Sequence, residues 1–209
     1  SLATFMIMAT FGNTSFIGFA YIDAFYGDDY IVYALIYDLF GSFLLLVSIG
    51  MFIITWGSGK KNNTKSIFKS IFLFPPSLMF FITVIAKNFE VPNFLILTSQ
   101  TLGTTLVPIA MIAIGMKLEL KHIFVKFHIV TMAMVLKMVV VPIIVLIGFK
   151  FFYGIDQTWV KVTIIEVAMP PMTMATVLAI KGGLDEKIAI NSLVLGVILS
   201  LFTITMYTT

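Results

Sequence analysis

Three ionisable side chains stand inside long apolar runs of the chain: Asp38, Lys137 and Glu166. Charge at membrane depth is costly, and groups found there pair with one another, line wet cavities or carry ions and protons. Asp38 and Glu166 each lie about seven residues, and Lys137 about eight, from the end of a run, so all three are roughly 11–12 Å deep at 1.5 Å per residue. Two kinds of chemistry fit such a set. One is a static ion pair that holds helices together. The other is a charge relay that couples movement of an anion to a proton or another cation, with Lys137 also attracting the anion directly.

A second group of residues interrupts two of the runs. Gly12-Asn13-Thr14-Ser15, followed by Gly18, interrupts the first, and Pro170-Pro171 interrupts a later one. Each interruption falls about 11 residues into its run, roughly 16 Å, which is about half the depth of a ~30 Å hydrocarbon core. A helix broken there exposes backbone N–H and C=O groups that survive only when buried in protein or facing a wet cavity. Half-helix N-termini suit a carboxylate and half-helix C-termini a cation. The Asn13 amide can donate to a ligand carboxylate and accept from freed backbone, and Gly12 beside it permits close approach. The expected substrate-binding set is therefore Gly12, Asn13, Thr14, Met169, Pro170 and Pro171. The plainer readings are Pro kinks, as for Pro75, Pro108 and Pro142, and an interhelical hydrogen bond from Asn13.

The elements that position these residues are membrane helices. Of 209 residues, 60% are apolar and 11% charged, with mean hydropathy +1.08. A soluble domain is about half apolar and a quarter charged, so lipid is part of this chain's solvent. The net charge of +3 comes from Lys alone, as there is no Arg, and is no nucleic-acid footprint. The absence of Cys excludes disulfides and thiol chemistry. Two histidines, His122 and His128, offer little to a metal centre, and no cofactor is expected. Seven runs are long enough to span: about 2–22, 31–56, 67–86, 92–116, 129–149, 159–180 and 188–207. None alternates with the period of two that a β-barrel requires.

The loops are short, so the bundle is compact and carries no soluble domain. Nine lysines fall on one side (Lys60, Lys61, Lys65, Lys69, Lys117, Lys121, Lys126, Lys181 and Lys187) and three on the other (Lys87, Lys150 and Lys161). The lysine-rich side, including loop 57–66, is expected to be cytoplasmic and the C-terminus outside.

The two broken runs also align with one another. At an offset of 155, Gly27 meets Gly182, Gly41 meets Gly196 and Ser15 meets Pro170, with an acidic pair after each broken span: Asp28-Asp29 and Asp185-Glu186. The two spans run in opposite directions, the inverted repeat common in secondary transporters. Residues 1–56 then close a first repeat and residues 57–209 form a second. By symmetry about 99 residues with three spans are expected upstream of Ser1, making about 308 residues and about ten spans. The expected fold class is an all-α membrane protein: seven visible helices of a ten-helix inverted-repeat transporter with two broken crossover helices.

Several segments resemble the auxin efflux carrier family of permeases. Phe11-Gly12-Asn13-Thr14-Ser15-Phe16-Ile17-Gly18-Phe19 is similar to the first crossover of that family, and Glu166-Val167-Ala168-Met169-Pro170-Pro171 to the second. Leu106-Val107-Pro108-Ile109-Ala110 through Gly115-Met116, and Leu136-Lys137 with Val141-Pro142, resemble two further spans. The likeness covers essentially the whole chain, as spans four to ten of a ten-span fold. Ala20 departs from it, standing where the family usually has a Pro that closes the first crossover.

The resemblance implies an elevator-like carrier of organic anions, as in malate and malonate permeases, in a bacterial inner membrane. It also implies a homodimer. Spans 67–86 and 92–116 would be scaffold, and the first two spans with 129–149, 159–180 and 188–207 would be the transport domain. Asn13, Pro170 and Pro171 would meet the substrate carboxylate. The expected partners are a small carboxylate, a coupling proton or sodium ion and the bilayer, with no nucleic acid. The alternatives are a channel, which does not need paired inverted breaks, and a seven-helix receptor, whose retinal-type Lys is missing from the last span. An intramembrane enzyme finds no oriented Ser–His pair in Ser15 and His128.

Overall fold

In the computed structural model of the chain, residues 2–59, 75–86, 89, 91–116 and 125–208 are described. The described part is all-α. The first apolar run is two half-helices. α1 (Leu2–Thr10) stops at Phe11–Asn13, and the chain resumes as a π-helical turn (Thr14–Gly18) leading into α2 (Phe19–Tyr26). Left-handed Gly27 (φ 87°) reverses the chain. The second span is one helix from Asp28 to Ser58, 31 residues long. It contains α3 (Ile31–Ile36), π-helical segments at Tyr37–Phe43 and Leu46–Gly50, and α4 (Met51–Ser58).

α5 (Pro75–Ala86) and α6 (Asn93–Met116) follow. α5 is described from Pro75-Pro76 onward, so the kink expected at Pro75 falls at the edge of the described residues. The expected third span begins at 67, and its residues 67–74 lie outside the described ones, as do 60–66 of the lysine-rich loop.

The fifth span is α7 (Phe127–Val135), a π-helical turn (Leu136–Val140) and α8 (Val141–Phe152). The sixth is again two half-helices, α9 (Thr158–Val167) and α10 (Thr173–Lys181), with a break at Ala168–Met172. α11 (Glu186–Thr203) and α12 (Thr205–Thr208) end the chain. Among the described residues three helices are long and apolar enough to cross a membrane unbroken: Asp28–Ser58, Phe127–Phe152 and Glu186–Tyr207. Two more of the seven expected spans are the broken ones, and the expected third and fourth adjoin residues outside the described ones.

Two buried clusters flank the breaks. One gathers Ile7 and Met8 of α1, Ile54 of α4 and Ala175 and Ala179 of α10. The other gathers Ile17, Ile22 of α2, Ala34 of α3, Ile165 of α9 and Ile204. Each cluster thus packs one half of each broken helix against the second span. Lipid supplies no hydrophobic drive between helices, so small residues that allow close approach matter most. A Cβ added to Gly57 would collide with the Ala3 methyl, and one added to Gly182 with the Ile54 side chain. The described apolar side chains of α5 and α6 are exposed instead, among them Leu78, Ile85, Phe94, Leu97 and Ile112.

Asp185 fastens one end of the bundle. Its carboxylate caps α11 by accepting the Ile188 N–H (3.2 Å) and pairs with Lys126, and its own N–H donates to Thr4 Oγ1 (3.1 Å). Lys126, at the start of α7, is the one non-glycine residue with positive φ (56°) among the described residues. Partial burial pushes the Asp185 carboxyl up, but the Lys126 ammonium and the Ile188 N–H outweigh it and hold the group below the ordinary carboxylate value. Such a group contributes fully above the ordinary carboxylate range, and its contribution is lost as pH falls through its own lower value. Asp185→Ala is expected to remove about 1 kcal/mol of capping and at most about 1 kcal/mol of exposed ion pair. Thermal unfolding in detergent should show a lowered Tm near neutral pH, with the gap to wild type closing in acid.

Candidate functional site

The two breaks lie against each other at the centre of the bundle. Gly12 and Pro171 form an antiparallel bridge. The Asn13 N–H donates to Pro170 O (2.7 Å), and the Met172 N–H donates to Phe11 O (2.9 Å). Backbone groups freed by one break are therefore satisfied by the other, which is what burial at this depth demands. Gly196 of α11 lets this pairing approach. A Cβ there would lie 3.1 Å from Pro170 Cβ and closer still to Pro171 Cδ.

The pairing relates the two breaks at an offset that differs from the one expected for a repeat. The two backbone hydrogen bonds exchange with each other when Gly12 is matched to Pro171, an offset of 159 rather than 155. Ser15 therefore does not meet Pro170; Thr14 matches Thr173, the residue at which each helix resumes. The discrepancy is a difference in length. From break to turn the first broken span has five π-helical residues and the eight of α2, against the nine of α10 in the other. The breaks also differ from the expected ones. The first is Phe11–Asn13, with Thr14, Ser15 and Gly18 already helical, and the second extends from Ala168 to Met172. Ala20 lies within α2, so the first break closes without the Pro that the resemblance leads one to expect.

All nine residues singled out in the sequence come together here. Gly12, Pro170 and Pro171 are buried, and Asn13, Thr14 and Met169 are 0–1% exposed. The Asn13 amide nitrogen donates to Thr173 Oγ1 (3.2 Å), while its Oδ1 is buried without a donor among the described residues. Asp38 and Lys137 both sit on π-helical turns, Tyr37–Phe43 and Leu136–Val140. Such turns widen a helix locally and are frequent at functional sites.

The two charges meet opposite helix ends. Lys137 Nζ donates to Val167 O (3.1 Å), the last carbonyl of α9, which is the partially negative C-terminal end. The Asp38 carboxylate accepts from Thr14 Oγ1, at the partially positive end where the first broken helix restarts. Lys137 also rests on Gly12, where an added Cβ would lie 3.2 Å from Nζ and 3.3 Å from Cε.

Glu166 is different. It is fully buried, and neither carboxyl oxygen has a hydrogen-bond partner among the described residues. It packs on Gly18, where a Cβ would come within 2.6 Å of Oε1. That glycine has ordinary helical φ, ψ (−58°, −53°), so it serves the Glu166 carboxyl and not the break. Glu166 does not form an ion pair with Lys137 within 4.0 Å; among the described residues that geometry is met by Lys126–Asp185. The static-pair reading thus does not describe this geometry.

A cavity of about 80 Å³ adjoins the crossing, lined by Thr10, Phe11, Tyr37, Gly41, Ser42, Leu45, Ile49 and Lys137. It has room for a few waters or one carboxylate group. Tyr37, Ser42 and Thr10 were not anticipated. Ser42 follows Asp38 by four residues, which on a helix puts both on one face, and that spacing was the available signal. No metal-binding cluster of His, Cys, Asp and Glu exists among the described residues.

The chain is 26% identical over 204 residues to an uncharacterized transporter of Methanothermobacter thermautotrophicus, covering 96% of this chain and 65% of that protein. It is also 26% identical over 219 residues to an uncharacterized transporter of Methanocaldococcus jannaschii, covering 99% and 67%. The chain thus spans about two thirds of the length of these curated relatives. No solved structure matches it. A matched family accounts for residues 1–208, and it is a family of transporters, not of enzymes. With its apolar helices crossing at two mid-membrane breaks, this integral membrane chain belongs to the membrane transport protein family, the auxin efflux carrier family that its motifs resemble.

Proposed function

We propose that the chain is the larger part of a secondary active transporter for small organic anions such as dicarboxylates, working by elevator-like alternating access. The observation that carries this reading is Lys137: a buried ammonium that spends one of its three N–H donors on Val167 O and borders the cavity beside the paired breaks. The substrate carboxylate enters that cavity and takes the remaining donors. Gly12, Asn13, Thr14, Met169, Pro170 and Pro171, buried behind Phe11 and Lys137, form the crossing that backs this cavity and that the substrate reaches as the site opens.

In this reading the broken helices and spans 31–56, 129–149 and 188–207 move as the transport domain. α5 and α6 are scaffold and dimer contact, which is supported by their exposed apolar faces. The membrane is the cell membrane, with loop 57–66 on the cytoplasmic side. The test is counterflow of labelled malate in proteoliposomes holding the natural protein that contains this chain. Exchange without net conductance is expected; conductance without exchange would mean a channel, and absence of exchange for malate, malonate and an aromatic monocarboxylate would sink the substrate class. Asn13→Ala is expected to lower malate uptake at least tenfold at wild-type expression, measured as initial rate. Wild-type kinetics would remove Asn13 from the site.

A further inference from the structure

We infer that Glu166 carries the proton taken up with each bound anion, making the carrier a proton–anion symporter whose coupling residue is separate from the residues that hold the substrate. The inference rests on the transport reading above. Its ground is the contrast among the three buried ionisable groups. Lys137 is matched to a helix C-terminus and Asp38 to a hydroxyl at a helix N-terminus. Glu166 sits in the last turn of α9, next to Val167, so a carboxylate there would face the negative end of its own helix. It is fully buried, with no donor at either oxygen among the described residues, and such a carboxylate is far less tolerable than the neutral acid.

The titratable groups around it on packed elements are Lys137, whose ammonium bonds the carbonyl of the next residue, and Asp38 and Tyr37 of the second span. Asp28, Asp29 and Lys150 stand on other elements packed against α9.

The coupling then follows from charge alone. With an anion on Lys137, the ammonium is neutralised, nothing favours the Glu166 carboxylate, and the carboxyl holds its proton. When the anion leaves, Lys137 again favours ionisation and the proton departs to the same side. Proton and anion bindings strengthen one another by the same factor, typically about 5- to 150-fold for linked sites.

Two measurements on the full natural protein in proteoliposomes decide the matter. First, an inside-alkaline gradient is expected to drive wild type to accumulate labelled malate. Glu166→Gln, which keeps the neutral form, should still exchange malate but lose the accumulation and lose the tightening of malate affinity between pH 8 and pH 6. Accumulation by Glu166→Gln at the wild-type level, or wild-type accumulation that follows a sodium gradient instead, overturns the inference while leaving transport intact. Second, dicyclohexylcarbodiimide, which attacks protonated carboxyls in apolar surroundings, should modify Glu166 of wild type increasingly as pH falls and less with malate absent, read by peptide mass. No modification at Glu166, or modification independent of pH, overturns it as well. This second arm needs neither transport nor a folded variant, so failure of malate exchange and failure of the proton site are told apart.

Discussion

Lys137→Met in the full natural protein is expected to abolish uptake of labelled malate, while the protein inserts and accumulates in the membrane normally. Methionine keeps an unbranched apolar stem one atom shorter than lysine's and fits the same narrow space above Gly12. What it loses is the charge and the donors. A hydrogen bond to a charged group is worth about 1.5–3 kcal/mol, which converts to roughly a 10- to 150-fold loss of affinity. In addition Val167 O loses its partner, at a cost of about 1–3 kcal/mol if nothing replaces it, so a modest drop in Tm accompanies the loss of binding. Lys137→Arg is not expected to rescue. A planar guanidinium is wider than an ammonium, and the approach to Gly12 leaves no room for it. The measurement is initial uptake rate beside equilibrium malate binding. A variant that binds malate like wild type would show that the ammonium serves only the end of α9.

The second large effect concerns Gly196. Gly196→Val is expected to separate α11 from the second break, to reduce the folded yield and to eliminate transport. The first added carbon already meets the rings of Pro170 and Pro171 and lies 3.1 Å from Met134 Sδ. Proline rings cannot rotate away, so the helix must shift. Overpacking of this kind costs about 1–3 kcal/mol, and a shift of α11 also strains the register in which Asn13 reaches Pro170. Gly196→Ala should show a smaller loss of the same sign. A wild-type melting temperature and wild-type uptake in the valine variant would mean that α11 is not held against the crossing. Gly103, by contrast, has open space around it, and Gly103→Ala is the control expected to change neither quantity.

How much of this was legible in the sequence depends on the kind of residue. Asp38, Lys137 and Glu166 stood out because charge inside an apolar run has so few physical excuses. The two breaks stood out because Gly-Asn disfavours a helix and Pro-Pro in mid-run interrupts one. The offset at which the two breaks pair differs from the expected 155 for a definite reason. Gly27 and Gly41 were matched to Gly182 and Gly196, and these lie beyond the half-helices whose lengths differ. Among the glycines after the second break, the left-handed conformation belongs to Gly183 and not Gly182. The opposed fates of Lys137 and Glu166 were hidden as well. A lysine and a glutamate in neighbouring spans read as a pair, and only the fold places the ammonium on the carbonyl of the next residue, Val167, and leaves the carboxyl against Gly18. The cavity residues Tyr37 and Ser42 carried no charge to announce them.

The paired breaks have a consequence for how this protein can vary. The two hydrogen bonds that join them run from backbone to backbone, Asn13 N–H to Pro170 O and Met172 N–H to Phe11 O. No exchange of side chains removes them, except a proline placed at position 13 or 172, which would delete a donor. On the function proposed above, the scaffolding of the site is written in main-chain atoms, while recognition falls to Asn13, Thr14, Lys137 and the lining of the cavity. Selection can rewrite the second without touching the first. On that proposal a lineage of such proteins can change its substrate by a few substitutions at the crossing, and the crossing itself stays closed.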